Sequence, residues 1–206
     1  HRGTLYFYHN TVVNHQAVGA AFQLTDKEYT PTPDIYEKVD CRNNIFYTDT
    51  SINSNQYYAF KMVVTTANGT VDMGTNWLSP GTTKLWLGHE GGSTVNGWAN
   101  QLIGDKNGAN NPGFANINGL DYLLTQSSNS VDTGGVLAPS ALNLGYDVTE
   151  QYVPHYKSKP RTTLDLGPDL GAYEGTAADT AINVSAVAGK IGDTKTLTAV
   201  LNHYLN

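Results

Sequence analysis

The chain has 206 residues, enough for one sizeable hydrophobic core with a small appendage. Charged residues make up 15% of it and the net charge is −6, so nucleic-acid binding has little electrostatic support. Thr, Asn, Gly and Ser dominate the polar content, which suits turns and outward strand faces better than surface helices, and no run approaches the roughly 18 apolar residues of a transmembrane helix.

Three stretches near the start of the chain can be aligned on one another: residues 6–13, 39–46 and 71–78. Their offsets are 33 and then 32 residues, and a regular offset of this size indicates stacked structural repeats. Apolar and polar residues alternate with period two inside each stretch, which is typical of β-strands. The sequence therefore predicts a parallel β-helix, in which each repeat buries its apolar side against the core.

The alignment also predicts which side chains point inward and which point outward. The inward columns are Tyr6/Val39/Val71, Tyr8/Cys41/Met73 and Val12/Ile45/Trp77. The column Asn10/Asn43/Thr75 falls where the strand turns, and stacked Asn side chains can hydrogen-bond from one repeat to the next. The outward columns are Phe7/Asp40/Asp72 and His9/Arg42/Gly74. Cys41, the single cysteine, is expected to be a small buried hydrophobe.

The remaining elements follow in chain order. Residues 18–24 continue the first repeat, 25–37 form a loop, 57–64 continue the second repeat, and 90–111 form a long Gly- and Asn-rich loop. The pattern changes at 112, where the Asn column ends. We predict repeats over residues 1–111, a C-terminal cap over 112–174, and a linker with a short tail over 175–206, in which the apolar spacing of 194–205 is helical. Because the first strand begins near His1, we expect a longer protein with earlier repeats.

Several motifs resemble a known group of proteins. The motifs are Gly3–Val13, Arg42–Tyr47, Asn76-Trp77-Leu78, Pro112-Gly113-Phe114 and the closing Asp169–Glu174. In this order they resemble the C-terminal half of bacterial secreted right-handed parallel β-helix repeat proteins of the pectate-lyase-like superfamily. The resemblance implies an all-β, right-handed parallel β-helix with a C-terminal cap, an extracellular or cell-surface location, and a polysaccharide as partner. None of the matched motifs is catalytic, and fold alone does not carry function.

The predicted outward face offers one candidate catalytic set: His9, Asp40, Arg42 and Asp72. A lyase needs its substrate carboxylate neutralised and a base near the sugar C5 proton, whereas a hydrolase needs two carboxylates. Arg42 is the best candidate to meet a substrate carboxylate, because its guanidinium binds carboxylates bidentately. The alternative is a solvated face with an Asp–Arg surface pair. The residues indicate no metal site and no cofactor, and Ca²⁺ enters only under a lyase mechanism, since two carboxylates fall short of its usual oxygen ligands.

Aromatic residues in or beside the loops are candidates for substrate binding. They are Tyr57, Tyr58, Trp86 and Trp98, each with Gly, Asn or Gln nearby. Aromatic faces flanked by amides suit pyranose rings, which present both C–H faces and hydroxyls. The alternative is that these side chains pack the loops onto the strands.

Two functions stay open on the sequence. One is an extracellular polysaccharide-active enzyme, a lyase or a glycoside hydrolase, with part of its groove in earlier repeats. The other is a non-catalytic cell-surface, filament or adhesin protein that binds carbohydrate. Both predict a polysaccharide partner, neither involves nucleic acid or membrane insertion, and self-association is left open.

Overall fold

The structure is a computed structural model that describes residues 3–15, 19–24, 37–49, 61–65, 69–85, 94–153, 157–163 and 166–175. Regular structure within these ranges is mostly β-strand, so the predicted all-β class is confirmed. No described helix is long and apolar enough to cross a bilayer. The strands of the first half are, in chain order, β1 Thr4–Tyr8, β2 Thr11–Asn14, β3 Ala20–Leu24, β4 Lys38–Arg42, β5 Ile45–Thr48, β6 Lys61–Thr65, β7 Thr70–Met73, β8 Trp77–Leu78, β9 Thr83–Leu85, β10 Thr94–Asn96 and β11 Leu102–Ile103.

These strands form three parallel sheets. Sheet A has the order β1-β4-β7-β10, sheet B has the order β11-β8-β5-β2, and sheet C has the order β3-β6-β9. Each strand therefore pairs with the strand three places further along the chain, and every one of these pairings is parallel. We call each successive group of strands (β1 to β3, β4 to β6, β7 to β9, and β10 with β11) a rung.

The core is built from the inward side chains of all three sheets. Its buried members are Phe22, Leu24, Val39, Cys41, Phe46, Met62, Val71, Met73, Leu78 and Val95, with Phe7 and Val12 packed against them. Phe7, Phe22 and Phe46 contact one another with ring centroids 5.2 to 6.1 Å apart. Cys41 is fully buried, as predicted, and burial raises the pKa of its thiol.

A ladder of side-chain amides runs through the corner between sheets A and B. Asn44 donates to Oδ1 of Asn76 over 2.8 Å, and its own Oδ1 accepts from the backbone N–H of Asn10 over 2.8 Å. Asn76 donates in turn to Oε1 of Gln101 over 2.9 Å, so the amide ladder consists of Asn10, Asn44, Asn76 and Gln101. The side-chain N–H groups also reach the carbonyls of Phe7, Cys41 and Gly74. The amide ladder thus satisfies buried backbone at a corner where strand pairing is interrupted.

The predicted alignment is right for the second and third rungs but wrong for the first. Val39 lies opposite Val71, Cys41 opposite Met73, and Asp40 opposite Asp72, as expected. In the first rung Phe7, not Tyr8, lies opposite Cys41, and Val12 lies opposite Phe46. The predicted Asn10–Asn43 stack is also wrong, because Asn10 stacks on Asn44. Tyr8 and Cys41 consequently lie on opposite faces of sheet A, and the inward members of the first strand are Leu5 and Phe7.

The corner itself explains the error. His9 and Asn43 have positive φ angles of 51° and 62°, a left-handed conformation in which Asn and His are over-represented among non-glycine residues. The corner inserts one extra residue, so the inward positions run Cys41, Asn44, Phe46 and no longer follow a simple period of two. Ile45 and Trp77, predicted inside, accordingly lie on the outer face of sheet B in a separate cluster.

The segment from 112 onward packs on the outer faces of sheets A and B. It contains the antiparallel hairpin of β12 Phe114–Asn116 and β13 Asp121–Leu124, the helix α1 Pro139–Leu142, and the antiparallel pair of β14 Glu150–Val153 and β15 Lys157–Pro160. Phe114, Leu124 and Leu170 cover Ile45 and Trp77 on sheet B. Leu137 and Ala141 cover Tyr8 on sheet A.

Gly171 marks the closest approach of this segment to the strands. Its φ is +90°, and a Cβ at this position would lie 2.6 Å from Oγ1 of Thr11. The predicted boundaries at 111/112 and 174/175 stay predictions, and the predicted linker and tail at 175–206 lie outside the described residues from 176 onward.

Replacement of Asn44 by alanine tests the amide ladder. The change removes two donors and one acceptor from a fully buried position and leaves the Phe7 carbonyl and the Asn10 N–H without their partner. We expect a loss of roughly 2–4 kcal/mol in the free energy of unfolding, because buried polar groups lose their hydrogen bonds. Urea unfolding followed by circular dichroism measures it. Asn118→Ala, at an exposed position on the hairpin, is the matched control and should shift the free energy by less than about 0.5 kcal/mol. Equal effects of the two changes would contradict a stabilising ladder.

Candidate functional site

The outer face of sheet A is the surface to which the sequence assigned function. Side chains alternate along each strand, so Asp40 and Arg42 of β4 point outward with Asp72 of β7. The outward positions of the first strand are Thr4, Tyr6 and Tyr8, because Tyr6 lies opposite Asp40 and Tyr8 lies opposite Arg42. Phe7 was predicted in this column and instead packs in the core.

Asp40 and Arg42 form a closed ion pair. Nε of Arg42 lies 2.6 Å from Oδ1 of Asp40, and Nη2 lies 2.8 Å from Oδ2, which is the bidentate geometry of a strong guanidinium–carboxylate pair. The side chains are only 20% (Arg42) and 9% (Asp40) exposed. Nη1 also donates to the carbonyl of Val136 over 3.1 Å, and the guanidinium lies 5.9 Å from the centre of the Tyr8 ring. The positive charge of Arg42 is therefore already paired with the Asp40 carboxylate inside the protein.

Gly74 makes room for this arrangement. It occupies the position after Met73 in the third rung, and a Cβ there would lie 2.6 Å from Cβ of Arg42.

The pKa of the Tyr8 phenol, which neighbours this ion pair, is raised. Burial is the larger cause, and the Asp40 carboxylate adds to it.

His9 does not lie on the outer face with Arg42. It is buried at the corner, where Nε2 faces the side-chain N–H of Asn43 at 3.1 Å and Nδ1 lies 3.2 Å from the carbonyl of Asp169. Nη2 of Arg161 lies 2.8 Å from the same Nδ1. Asn43 is oriented by Gly135, whose N–H donates to Oδ1 over 2.8 Å and whose carbonyl accepts from Nδ2 over 2.7 Å.

With Nε2 accepting from Asn43, the single proton of the neutral ring lies on Nδ1 and is donated to the Asp169 carbonyl, so a second proton on Nε2 would face an N–H donor. Burial, and then the charge of Arg161, lower the pKa of His9 to about 3. A histidine that stays neutral and enclosed serves here as a hydrogen-bonding bridge between the corner and the C-terminal segment. The geometry does not bring His9 together with Asp40, Arg42 and Asp72.

Asp72 is the one member of the predicted set that is exposed. Its Oδ1 accepts from Nδ2 of Asn96 over 2.7 Å, and Asn96 lies opposite it on the next strand. Around these two residues the outer face of sheet A is open and polar. We call this area the polar strip and define it as Thr4, Lys38, Thr70, Asp72, Thr94 and Asn96.

The predicted aromatic residues divide into two groups. Trp98 begins a short 3-10 helix, Trp98–Asn100, and packs half-buried against the core, which is the alternative that the sequence left open. Tyr57, Tyr58 and Trp86 lie outside the described residues.

A buried charge cluster at the corner was not predicted as a site. Nη2 of Arg161 lies 2.6 Å from Oε1 of Glu174, with side-chain exposures of 4% and 2%, and it also donates to the Asp169 carbonyl over 3.1 Å. Desolvation raises the pKa of both Glu174 and Asp169. The closing Asp169–Glu174 motif and the basic residue at 161 were visible in the sequence, but nothing local indicated that they meet.

No group of three or more His, Cys, Asp or Glu side chains suited to a metal ion occurs in the part of the chain that the structure describes. Comparison with protein-family models, with curated proteins and with solved structures finds no match to this chain. The resemblance to pectate-lyase-like proteins therefore stays a prediction that rests on the motifs.

Replacement of Arg42 by alanine is expected to destabilise the fold. The change leaves the buried Asp40 carboxylate without its bidentate partner, and breaking a buried pair from one side costs about 3–5 kcal/mol. The double variant Asp40→Ala/Arg42→Ala should lose less than the sum of the two single variants, because no buried charge is left unpaired. A double-mutant cycle from urea unfolding measures the coupling, and additive losses would contradict the closed pair.

The neutral His9 predicts a dependence of stability on pH. Its pKa falls from 6.5 unfolded to about 3 folded, so its contribution is complete above pH 6.5 and is lost as the pH falls toward 3. The expected slope is at most about 1.4 kcal/mol per pH unit. The raised pKa values of Asp169 and Glu174 act with the opposite sign, so the comparison must be made between variants.

His9→Asn keeps a residue that tolerates the left-handed conformation and removes the titrating group. Unfolding free energies measured from pH 7 to pH 4 should fall less steeply for this variant than for the wild type. His15→Asn is the control, because His15 is exposed at the end of β2 and lies next to Asp49. Parallel curves for wild type and His9→Asn would show that His9 is not held neutral by folding.

Proposed function

We propose that the chain is a right-handed parallel β-helix of the pectate-lyase-like kind that binds a polysaccharide outside the cell or at its surface. The pairing of each strand with the strand three places later supports the β-helix, because a coil with three strands per turn stacks its strands in this order. Parallel strands joined by crossover connections are right-handed in about 98% of cases, which supports the handedness. In this proposal the segment at 112–174 is the predicted C-terminal cap, and it packs along the side of the rungs.

The polar strip is the proposed contact surface, and its regular spacing is the observation that carries the proposal. Its residues repeat on four adjacent strands in register, at about 4.8 Å per strand. That spacing is close to the repeat of a sugar ring along an extended chain. Hydroxyl, amide, carboxylate and ammonium groups supply both donors and acceptors for sugar hydroxyls.

The charges on this face support an uncharged glycan as the ligand. Lys38 and Asp72 are exposed and of opposite sign, and Asp40 and Arg42 neutralise each other beside them. A polyuronate needs uncompensated positive charge, and the whole chain carries a net charge of −6, which would repel it.

The closed Asp40–Arg42 pair also favours binding over cleavage on this surface. An elimination or hydrolysis step needs a base or a carboxylic acid that can reach the sugar. Asp40 and Arg42 are engaged with one another, and His9 is enclosed at the corner. We therefore rank the non-catalytic carbohydrate-binding function first and treat the lyase and hydrolase functions as outcomes of the test.

The test is a panel of neutral and acidic polysaccharides, measured for binding by affinity electrophoresis and for cleavage by unsaturated products and reducing ends. We expect retention on a neutral glycan, without products. Asp72→Ala should weaken the binding about tenfold, since one charge-assisted hydrogen bond to a hydroxyl is lost. Glu150→Ala, an exposed carboxylate on β14, is the matched control and should leave binding unchanged. Equal binding by wild type and Asp72→Ala would exclude the polar strip, and product release would favour the enzyme.

A further inference from the structure

A groove separate from the polar strip lies between two turns on the C-terminal side of the molecule. It has a volume of about 430 Å³ and lies between the turn at 105–107 and the hairpin of β12 and β13. Cavities that hold small ligands have volumes of roughly 300–1,000 Å³, so the groove could hold one or two sugar rings. We call it the lateral groove; the residues that carry the argument are Asp105, Lys106, Asn107, Phe114, Thr125 and Ser127.

The walls of the lateral groove are held by hydrogen bonds within each turn and between them. Oδ1 of Asp105 accepts from the backbone N–H groups of Asn107 and Ala109 over 2.8 and 2.9 Å. The N–H of Thr125 donates to the carbonyl of Gly113 over 2.7 Å, which closes the other wall. Nδ2 of Asn129 donates to the carbonyl of Gly104 over 3.0 Å and ties the two walls together. The lateral groove is therefore formed before any ligand arrives, which lowers the entropic cost of binding.

Phe114 lines the lateral groove, and its ring has a set orientation. Phe114 packs edge-on against Tyr47 and Tyr122, with ring centroids 5.8 and 5.2 Å away and interplanar angles of 77° and 72°. These contacts hold the ring from two sides. An aromatic ring with hydroxyls beside it suits a ligand that has both C–H faces and polar edges.

The polar groups around Phe114 are mixed in kind and balanced in charge. Thr125 and Ser127 present hydroxyls 3.2 Å apart, and each hydroxyl can donate or accept. Asn107 offers an exposed amide, which forms no side-chain hydrogen bond within the described part of the chain. Lys106 and Asp105 are adjacent and of opposite sign, so the lateral groove has no excess positive charge to hold a phosphate or sulfate.

From this combination we propose that the lateral groove binds a small neutral polyhydroxylated ligand, a mono- or disaccharide, at a site distinct from the polar strip. The ligand stacks a C–H face on the region of Phe114 and exchanges hydrogen bonds with Asn107 and Ser127. The site goes beyond the proposed function, because it lies between the turn at 105–107 and the C-terminal segment and does not need a polymer to extend across the rungs.

The experiment is a titration of the full ¹⁵N-labelled chain with maltose, cellobiose and, separately, inorganic phosphate, followed by NMR. We expect saturable shifts of the Asn107, Thr125 and Ser127 amide signals with at least one disaccharide and no such shifts with phosphate. Asn107→Ala should weaken binding about fivefold or more, since an exposed donor–acceptor group is lost. Asn118→Ala, an equally exposed Asn at the far end of the hairpin, is the control and should bind as the wild type does.

Ser127→Trp provides a second test, because a bulky ring at the exposed rim fills the lateral groove without removing a buried group. It should abolish the disaccharide shifts, while Asp72→Ala should leave them intact. The site is overturned if neither disaccharide gives saturable shifts, if the shifts persist in Ser127→Trp, or if phosphate produces them instead. Failure of the polar strip would appear as polymer binding unaffected by Asp72→Ala, so the two proposals fail independently.

Discussion

The amide ladder at the corner between sheets A and B is the interaction on which the rest of the structure depends. A chain that turns sharply must leave backbone N–H and carbonyl groups unpaired, and burying them costs several kcal/mol unless other groups bond to them. Asn44 and Asn76 meet this requirement with one side chain per rung, each bonding to its neighbour and to the backbone carbonyls around it. Gln101 continues the pattern with a longer side chain where a 3-10 helix precedes the position. Because each amide must meet the next, the ladder also sets the register of the strands on both sides.

The sequence predicted the strands and their parallel stacking, but not the register of the first rung, and the reason is physical. An alternation of apolar and polar residues along a strand identifies its inward face only when the outward residues are polar. Aromatic side chains are tolerated on the outer face at Tyr6 and Tyr8 because Tyr146 and Leu137 cover them, so the first strand is apolar or aromatic at every position from Leu5 to Tyr8. The left-handed residue at each of the first two corners then adds a position that no alternation reveals. The sheet A strands of the second and third rungs, with Asp40 and Asp72, were predicted correctly because one face there stays polar.

The candidate site was partly predictable for the same reason. Asp40, Arg42 and Asp72 share a face because strand alternation places them there. Arg42 also donates to the carbonyl of Val136, which lies 94 positions further along the chain. The partners of His9 come from as far as residues 161 and 169. Contacts over such separations depend on how the C-terminal segment packs, and local patterns of residue type hold no information about that.

The adjacent corner residues Asn43 and Asn44 point their side chains to opposite sides of the backbone, and this affects which part of the surface stays exposed. Asn44 points inward and joins the rungs, whereas Asn43 points outward and binds both Gly135 and His9. The left-handed conformation of Asn43 makes this possible, since it turns two consecutive amides to different sides of the backbone. The C-terminal segment is thereby held over Tyr8 and Arg42 at the corner end of sheet A, while the start of each strand stays uncovered. Four residues of the polar strip, Thr4, Lys38, Thr70 and Thr94, lie at that uncovered end, so the interaction that stacks the rungs also decides which part of the sheet a ligand can reach.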